Sequence, residues 1–435
     1  MKQFRTTGRP RAARIAICVL AAGTAMSVVA ACSSSSSSTS ASAGGGGSSS
    51  APSSASGGAS ASGGGSSSVD TAALTTAQAV PSFSQFAGSY GSKVDISSLK
   101  GKKVMIVPGV SALAACTEIA QAAAQLAKAA GMIPTIFENQ GTTAEHNAAI
   151  ENAIHQGYAA VMMGCAYDPT TNAPAIAQAI KAGLKFSFYG LTPAQQEAIK
   201  VNYVNVDPYA LDAKLSVDQA VQASGGKPFT ALSITSNATA ATALMRDAMN
   251  AELAKVCPQC KVNEVNVEVP QWTTNIAGAV SSALLQHPNT TVLFPYYAGM
   301  LTYVLQGMQS AHKTTGVTAY LNFGGGTPFI KLQTQEPGKS IIQGQLGGYP
   351  PWTGYLMFLQ LARNLTGMAP LGTAQNQVAG PNRLVTPDNA VDVLTTGGNG
   401  TDWVNGFRGL LGLPALSGAA LTSAATLGGT MTGTP

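Results

Sequence analysis

Cys257, Pro258, Gln259 and Cys260 form a C-x-x-C, a spacing that serves a dithiol redox centre, half of a zinc site or a short structural bridge. Zinc needs four ligands, and the chain has no second C-x-x-C and no histidine near this one, which argues against a metal. His146, His155, His287 and His312 are scattered without ligand spacing. No G-x-S-x-G nucleophile elbow occurs. Gly338, Lys339 and Ser340 end like a phosphate loop, but Gln333 stands where its first glycine belongs, and the glycines at 324 to 326 lack dinucleotide-loop spacing. The expectation is therefore no enzyme, no metal and no cofactor. What remains is binding chemistry: the planar donor fork of Arg246, and Trp272, whose ring can stack on an apolar sugar face or an aromatic ring.

The elements that position these residues begin after a long leader. Lys2, Arg5, Arg9, Arg11 and Arg14 precede an apolar, small-residue run from Ile15 to Ala31, the two parts of an export signal. That run is too short and too weakly hydrophobic to favour a permanent span. The signal holds five of the 24 basic residues and none of the 19 acidic ones, so the rest of the chain is charge-balanced. Without a basic cluster the electrostatic case for nucleic acid disappears. Ser33 to Ser68 contains only Ser, Gly, Ala, Thr and Pro, which cannot bury enough surface to offset ordering entropy. Such a tether of about 36 residues spans roughly 30–36 Å.

From Lys103 onward, short apolar runs alternate with alanine-rich amphipathic stretches. Strands are expected over Lys103 to Pro108, Pro134 to Phe137, Ala159 to Gly164, Lys185 to Tyr189 and Val201 to Val206. Helices are expected between them, over Ala112 to Ala130, Ala144 to Gln156 and Asn172 to Ala182, with Gly131, Gly157 and Gly183 as stops. A second series then begins. Its strands fall near Phe229 to Ser236, Val262 to Val269, Thr291 to Pro295, Thr318 to Phe323 and Ser340 to Leu346, with helices near Tyr209 to Ala223, Ala240 to Ala254, Thr274 to Leu285 and Leu301 to Ala311. Two such series predict an α/β chain of two doubly wound parallel-sheet lobes, whose ligands bind beyond the carboxyl ends of the strands.

Val29, Ala30 and Ala31 before Cys32 resemble the lipobox of bacterial lipoproteins, which implies cleavage before Cys32, its diacylation and retention on the outer face of the cytoplasmic membrane. An ordinary secretory signal is the alternative. From Lys103 to about Asn389 the order of elements resembles the type I periplasmic binding proteins, in the sugar-binding branch that serves ABC importers. The resemblance is carried by Asn152 to Tyr189, with Gly157, Asp168, Pro169 and Ala182-Gly183-Leu184. It continues through Val204 to Asp207 at a first hinge, Ala238 to Arg246 at a helix start that supplies an arginine, and Trp272 at a cleft aromatic position. Gly347 to Gly354, with Tyr349 and Pro350, resembles a later hinge crossing, and Leu384, Val385, Thr386 and Asn389 a closing strand and turn. The resemblance implies two lobes joined by three hinge strands, closing on a small solute and docking on an ABC permease, with no bond broken.

Where the family places Asp or Asn for free sugars, this chain has Cys165, Gly190, Tyr297 and Gly324 or Gly325, which puts a simple monosaccharide in question. The candidate ligand contacts are Arg246, Trp272, Tyr297, Tyr189, Asn237, Asn322, Tyr349, Trp352 and Asp168. For Arg246 the alternative is a salt-bridged surface arginine; for Trp272, a core residue. Asp168 before Pro169 also suits a helix cap. Tyr296 and Tyr297 cannot both face the cleft.

In the strand order such a sheet implies, Cys116 and Cys165 follow neighbouring strands, so the expected bridges are Cys116 to Cys165 and Cys257 to Cys260; free buried thiols are the alternative for the first. The expected layout is 1–31 signal, 32–78 lipidated cysteine and linker, 79–206 with 350–382 as the N-terminal lobe, 207–349 with 383–415 as the C-terminal lobe, and 416–435 a flexible tail. The expected function is a monomeric, lipid-anchored solute-binding component that delivers a sugar or polyol to an ABC permease. An apolar or carboxylated ligand, or a ligand-sensing surface receptor, is the alternative.

Overall fold

The computed structural model describes residues 69–427, apart from 166, 202, 205–207, 325–326, 335–339, 373–377, 379 and 397–399. The signal, Cys32, the Ser/Gly tether, Asn205 to Asp207, Gly325 and the Gly338-Lys339 pair lie outside the described residues.

Among the described residues, ten parallel strands form two sheets. The first contains β1 (Lys103–Pro108), β2 (Ile133–Ile136), β3 (Ala160–Gly164), β4 (Lys185–Tyr189) and β5 (Tyr203–Val204), in the order β2-β1-β3-β4-β5. The second contains β6 (Thr230–Thr235), β7 (Lys261–Asn266), β8 (Thr290–Pro295), β9 (Thr318–Leu321) and β10 (Ile342–Gln345), in the order β10-β9-β8-β6-β7. Counted from its own first strand, the second sheet repeats the order of the first. Both put a topological switch point beside their first strand, the place where such sheets bind ligands.

The central strands form because they are almost wholly apolar and buried, whereas the edge strand β7, Lys-Val-Asn-Glu-Val-Asn, is largely polar and partly exposed. β3, Ala-Val-Met-Met-Gly, is buried at every position, and β1 at every position but Lys103. Two of the intervening helices begin where side chains satisfy their free amides. Thr142 accepts from Glu145 N while the Glu145 carboxylate accepts from Thr142 N, and Thr192 with Gln195 repeats the device. Three of the intervening helices stop at Gly131, Gly157 and Gly183, all at positive φ.

The chain passes from one lobe to the other between β5 and the helix Tyr209–Ala223, again after β10, and a third time before Val385, which pairs antiparallel with Gln345 at the edge of the second sheet. The second crossing feeds a helix, Pro350–Leu365, that inserts into the N-terminal lobe. Fourteen of its 16 residues are buried, from Pro350 to Arg363. Ser187 Oγ donates to Met357 O at 3.0 Å, joining it to β4.

Three boundaries differ from those expected. Thr71–Gln78, placed in the linker, is a helix whose Leu74 is buried among Leu215, Leu346 and Leu384. Residues 402–415, assigned to the C-terminal lobe, include the helix Asp402–Leu410. Its Trp403, Val404 and Phe407 join the core of the N-terminal lobe with Trp352, Tyr355 and Tyr90. The tail begins with another helix, Gly418–Thr426, whose Ala424 and Ala425 are buried in the same core. Aromatic burial decides the lobe: Trp352 and Trp403 stack at 5.5 Å and 22°.

Candidate functional site

The loops at the carboxyl ends of β1, β3 and β4 face those of β6, β7, β8 and β9 across one cavity of about 350 Å³. That volume lies near the lower end of the roughly 300–1,000 Å³ typical of small-molecule sites.

On the N-terminal side, β1 turns at Gly109, whose amide donates to Gly164 O at 2.8 Å. A Cβ on Gly109 would run into the carbonyl oxygen of Cys165, so the loops after β1 and β3 approach this closely only with glycine there. The approach brings Cys116, on the helix Ala114–Ala129, beside Cys165. The structure joins them, with Cα atoms 5.3 Å apart. Cys165 itself takes a left-handed φ of 67°. The bridge forms part of the cavity wall. Cys257 and Cys260 form the second bridge, Cα atoms 5.4 Å apart, away from the cavity lining.

Asp168 lines the cavity and also caps the turn Pro169–Asn172, its Oδ1 accepting from Thr170 N at 3.0 Å and Thr170 Oγ1 at 2.8 Å. Tyr189, at the end of β4, lines it too. His146 reaches the cavity from the helix Thr143–His155, with Nε2 3.0 Å from Gly109 O. A carbonyl can only accept, so Nε2 carries the proton. Burial holds the imidazole below its ordinary value, against the opposing pull of the Gly109 carbonyl and Glu145. His146 is therefore neutral at neutral pH.

On the C-terminal side, Trp272 and Tyr297 line the cavity with their rings stacked at 5.7 Å and 28°. Their polar atoms are directed at protein: Trp272 Nε1 donates to Val267 O at 3.0 Å, and Tyr297 Oη bonds Thr242 Oγ1 at 2.9 Å. Burial raises the Tyr297 phenol far above its usual range, the bond to Thr242 opposing this. Phe323, 6.3 Å from Tyr297 and 5.5 Å from Tyr209 between ring centroids, extends the aromatic wall. Tyr296 points the other way and is fully buried.

Asp168, Tyr189, Trp272 and Tyr297 thus share one cavity, and the other five candidates do not line it. Arg246 pairs instead with Glu264 at 3.4 Å and with Asn237 Oδ1 at 3.1 Å. The buried stripe of its helix runs Ala241, Met245, Met249, Leu253, Val256, so Arg246 projects about 100° away from it. Asn237 is exposed, its amide nitrogen on Glu264. Asn322 is fully buried, and neither atom of its amide has a hydrogen-bond partner among the described residues. Trp352 is core, donating Nε1 to Tyr90 Oη at 2.9 Å. Tyr349 packs edge-on against Trp403 and donates its hydroxyl to Ala425 O.

Sequence reasoning missed Tyr167, Glu268 and Phe323, all in the lining. Glu268 is hidden by a sequence reading that carries the strand through Val269, whereas β7 ends at Asn266. Asn322 is a candidate as a strand-end residue, but its neighbour Phe323 is the one in the cavity.

Two parallel-sheet lobes, a chain that crosses between them and a cavity at facing strand ends define a two-lobed solute-binding protein. A family described as periplasmic binding protein domain matches residues 104–368, more than half of the chain, and the chain belongs to that family. Its members are extracytoplasmic solute-binding components of transport systems. The chain is similar in fold to the 5-methylthioribose transporter solute-binding protein of Thermotoga lettingae TMO, solved with 5-methylthioribose. The TM-score is 0.58 at 15% identity, covering 76% of this chain and 98% of that one. An ABC transporter solute-binding protein of Agrobacterium vitis with bound allitol gives 0.56 at 17% identity, covering 68% and 98%. A carbohydrate transporter of Acidothermus cellulolyticus 11B in complex with myo-inositol gives 0.54 at 14%, covering 71% and 100%. No curated protein matches the chain. Among the described residues no helix is long and apolar enough to cross a membrane.

Proposed function

We propose that this chain captures a small solute between its lobes outside the cytoplasm and hands it to an ABC permease, held near that partner by a lipid on Cys32 and the Ser/Gly tether. The observation that carries the reading is one cavity lined from both lobes, Asp168 and Tyr189 on one side and Trp272 and Tyr297 on the other. A ligand that touches both lobes has more contacts in the closed state and shifts the equilibrium towards it. The solute class is a sugar or polyol derivative with a substantial apolar face. Relatives of the same fold hold 5-methylthioribose, allitol and myo-inositol, which supports the class. The disulfide, Trp272, Tyr297 and Phe323 in the lining favour a ligand more apolar than a free monosaccharide. They also favour a second reading, an apolar small molecule that is not a sugar.

A thermal-shift panel of sugars, polyols, aromatic acids and amines tests the proposal, since a ligand bound only by the folded state at 100 times its Kd adds about 2.7 kcal/mol. A sugar or polyol derivative should raise the melting temperature. Stabilisation by an aromatic acid alone would overturn the solute class.

A further inference from the structure

The charges in the cavity are of one sign. Its lining contains two carboxylates, Asp168 and Glu268, and no lysine or arginine among the described residues. His146 adds no positive charge, being neutral with Nε2–H on Gly109 O. The one arginine expected here, Arg246, is paired with Glu264 outside the lining.

Among the described residues neither cavity carboxylate has a cationic partner, since no ion pair includes Asp168 or Glu268. Both are nonetheless held in place by neutral donors. Glu268 Oε2 accepts from Ala238 N at 3.1 Å and Oε1 from Asn266 Nδ2 at 2.9 Å, while Asp168 is anchored by Thr170. An ionised carboxylate has about four acceptor sites, so each retains capacity for a ligand.

Three of the aromatic residues in the lining have committed their polar atoms elsewhere. Trp272 Nε1 is on Val267 O, Tyr297 Oη on Thr242, and Tyr167 Oη donates to Asn172 Oδ1 at 2.8 Å. What they offer a ligand is ring surface. A polyol needs directional donors and acceptors along its hydroxyls, and these three rings supply none. Ring surface together with unpaired carboxylates suits a cation, attracted by the π quadrupole and by the acids at once. A carboxylated solute would face two like charges with no basic side chain to meet it.

We propose that the solute carries a positively charged nitrogen on an apolar body, an amine or quaternary ammonium, held between Asp168 of the N-terminal lobe and Glu268 of the C-terminal lobe. This rests on the solute-capture reading above and takes its second ligand class, an apolar molecule that is not a sugar, to which it adds a positive charge. The cation also supplies a reason to close, because it attracts an acid on each lobe while the two acids repel each other across an empty cleft.

Matched pairs differing in charge test this by titration calorimetry on the full chain: choline against 3,3-dimethylbutan-1-ol, phenethylamine against 2-phenylethanol, and glucosamine against glucose. In at least one pair the cationic member should bind at least about tenfold tighter, as expected from desolvated cation–π and charge-assisted contacts. Glu268→Gln and Asp168→Asn should each shrink that ratio severalfold, and the cation's affinity should fall with added salt. Equal or tighter binding by the neutral member of every pair overturns the proposal, as does binding by sugars with no cation bound. That last result would leave solute capture standing. Failure of all six compounds, together with every sugar and polyol of the wider panel, would sink both.

Discussion

Replacing Cys116 and Cys165 together by alanine removes a bridge that closes a loop of sequence separation 49, whereas Cys257 and Cys260 are separated by 3. In the chain-entropy account the unfolded ensemble loses freedom with the logarithm of loop length, giving about 4 kcal/mol for the first bridge and about 1.6 kcal/mol for the second. Other consequences of the substitutions nearly cancel. Each double variant deletes two sulfur atoms. Cys165 keeps its left-handed φ of 67° as alanine, so its backbone cost is unchanged. The difference between the variants is therefore about 2.5 kcal/mol, or roughly 5–10 °C for a cooperative unit of 150–250 residues. Thermal melts of the ligand-free protein, wild type and both double variants, measure it. Equal losses, or a larger loss from the Cys257 and Cys260 pair, would refute the loop argument. A Cys165 to Cys257 link in non-reducing peptide maps would refute the pairing itself.

Arg246→Ala should leave solute affinity unchanged and cost at most about 1 kcal/mol of stability, as for half-exposed ion pairs; a tenfold loss of affinity in calorimetry would return Arg246 to the binding site. Trp352→Ala should destabilise by about 3–5 kcal/mol, because it empties a fully buried aromatic cluster and orphans Tyr90 Oη, and denaturant melts will show it. His146 is depressed in the folded state by burial, so the unfolded chain takes up its proton first. Stability should hold above about pH 6.5 and fall as pH drops below it, and the slope should flatten in His146→Gln, whose amide can still donate to Gly109 O. An unchanged slope in that variant would show the imidazole to be unimportant.

Much of the fold is legible in the sequence because buried parallel strands are continuous apolar runs, and β1 and β4 fall where those runs lie. The helix Pro350–Leu365 is harder to read. Its two leading prolines look like a hinge, yet proline is favoured in the first turn of a helix, where its missing amide proton costs nothing. That reading took Tyr349 and Trp352 for cleft residues. Trp272 and Tyr297 could be found because a residue just past a strand end in such a sheet faces the cleft. Arg246 could have been excluded from sequence, since Ala241, Met245, Met249 and Leu253 mark the buried stripe one position away. Glu268 could not be found without the true end of β7, and the shared sign of the cavity's charges shows only once the lining is assembled in space.

Solute-driven closure is the central claim, and small-angle X-ray scattering measures it directly, on the protein alone and saturated with the panel compound that stabilises it most. The account predicts a smaller radius of gyration with solute, and no such change with the same compound on Trp272→Ala at a concentration that saturates the wild type. An unchanged radius for the wild type with its cavity occupied would contradict it.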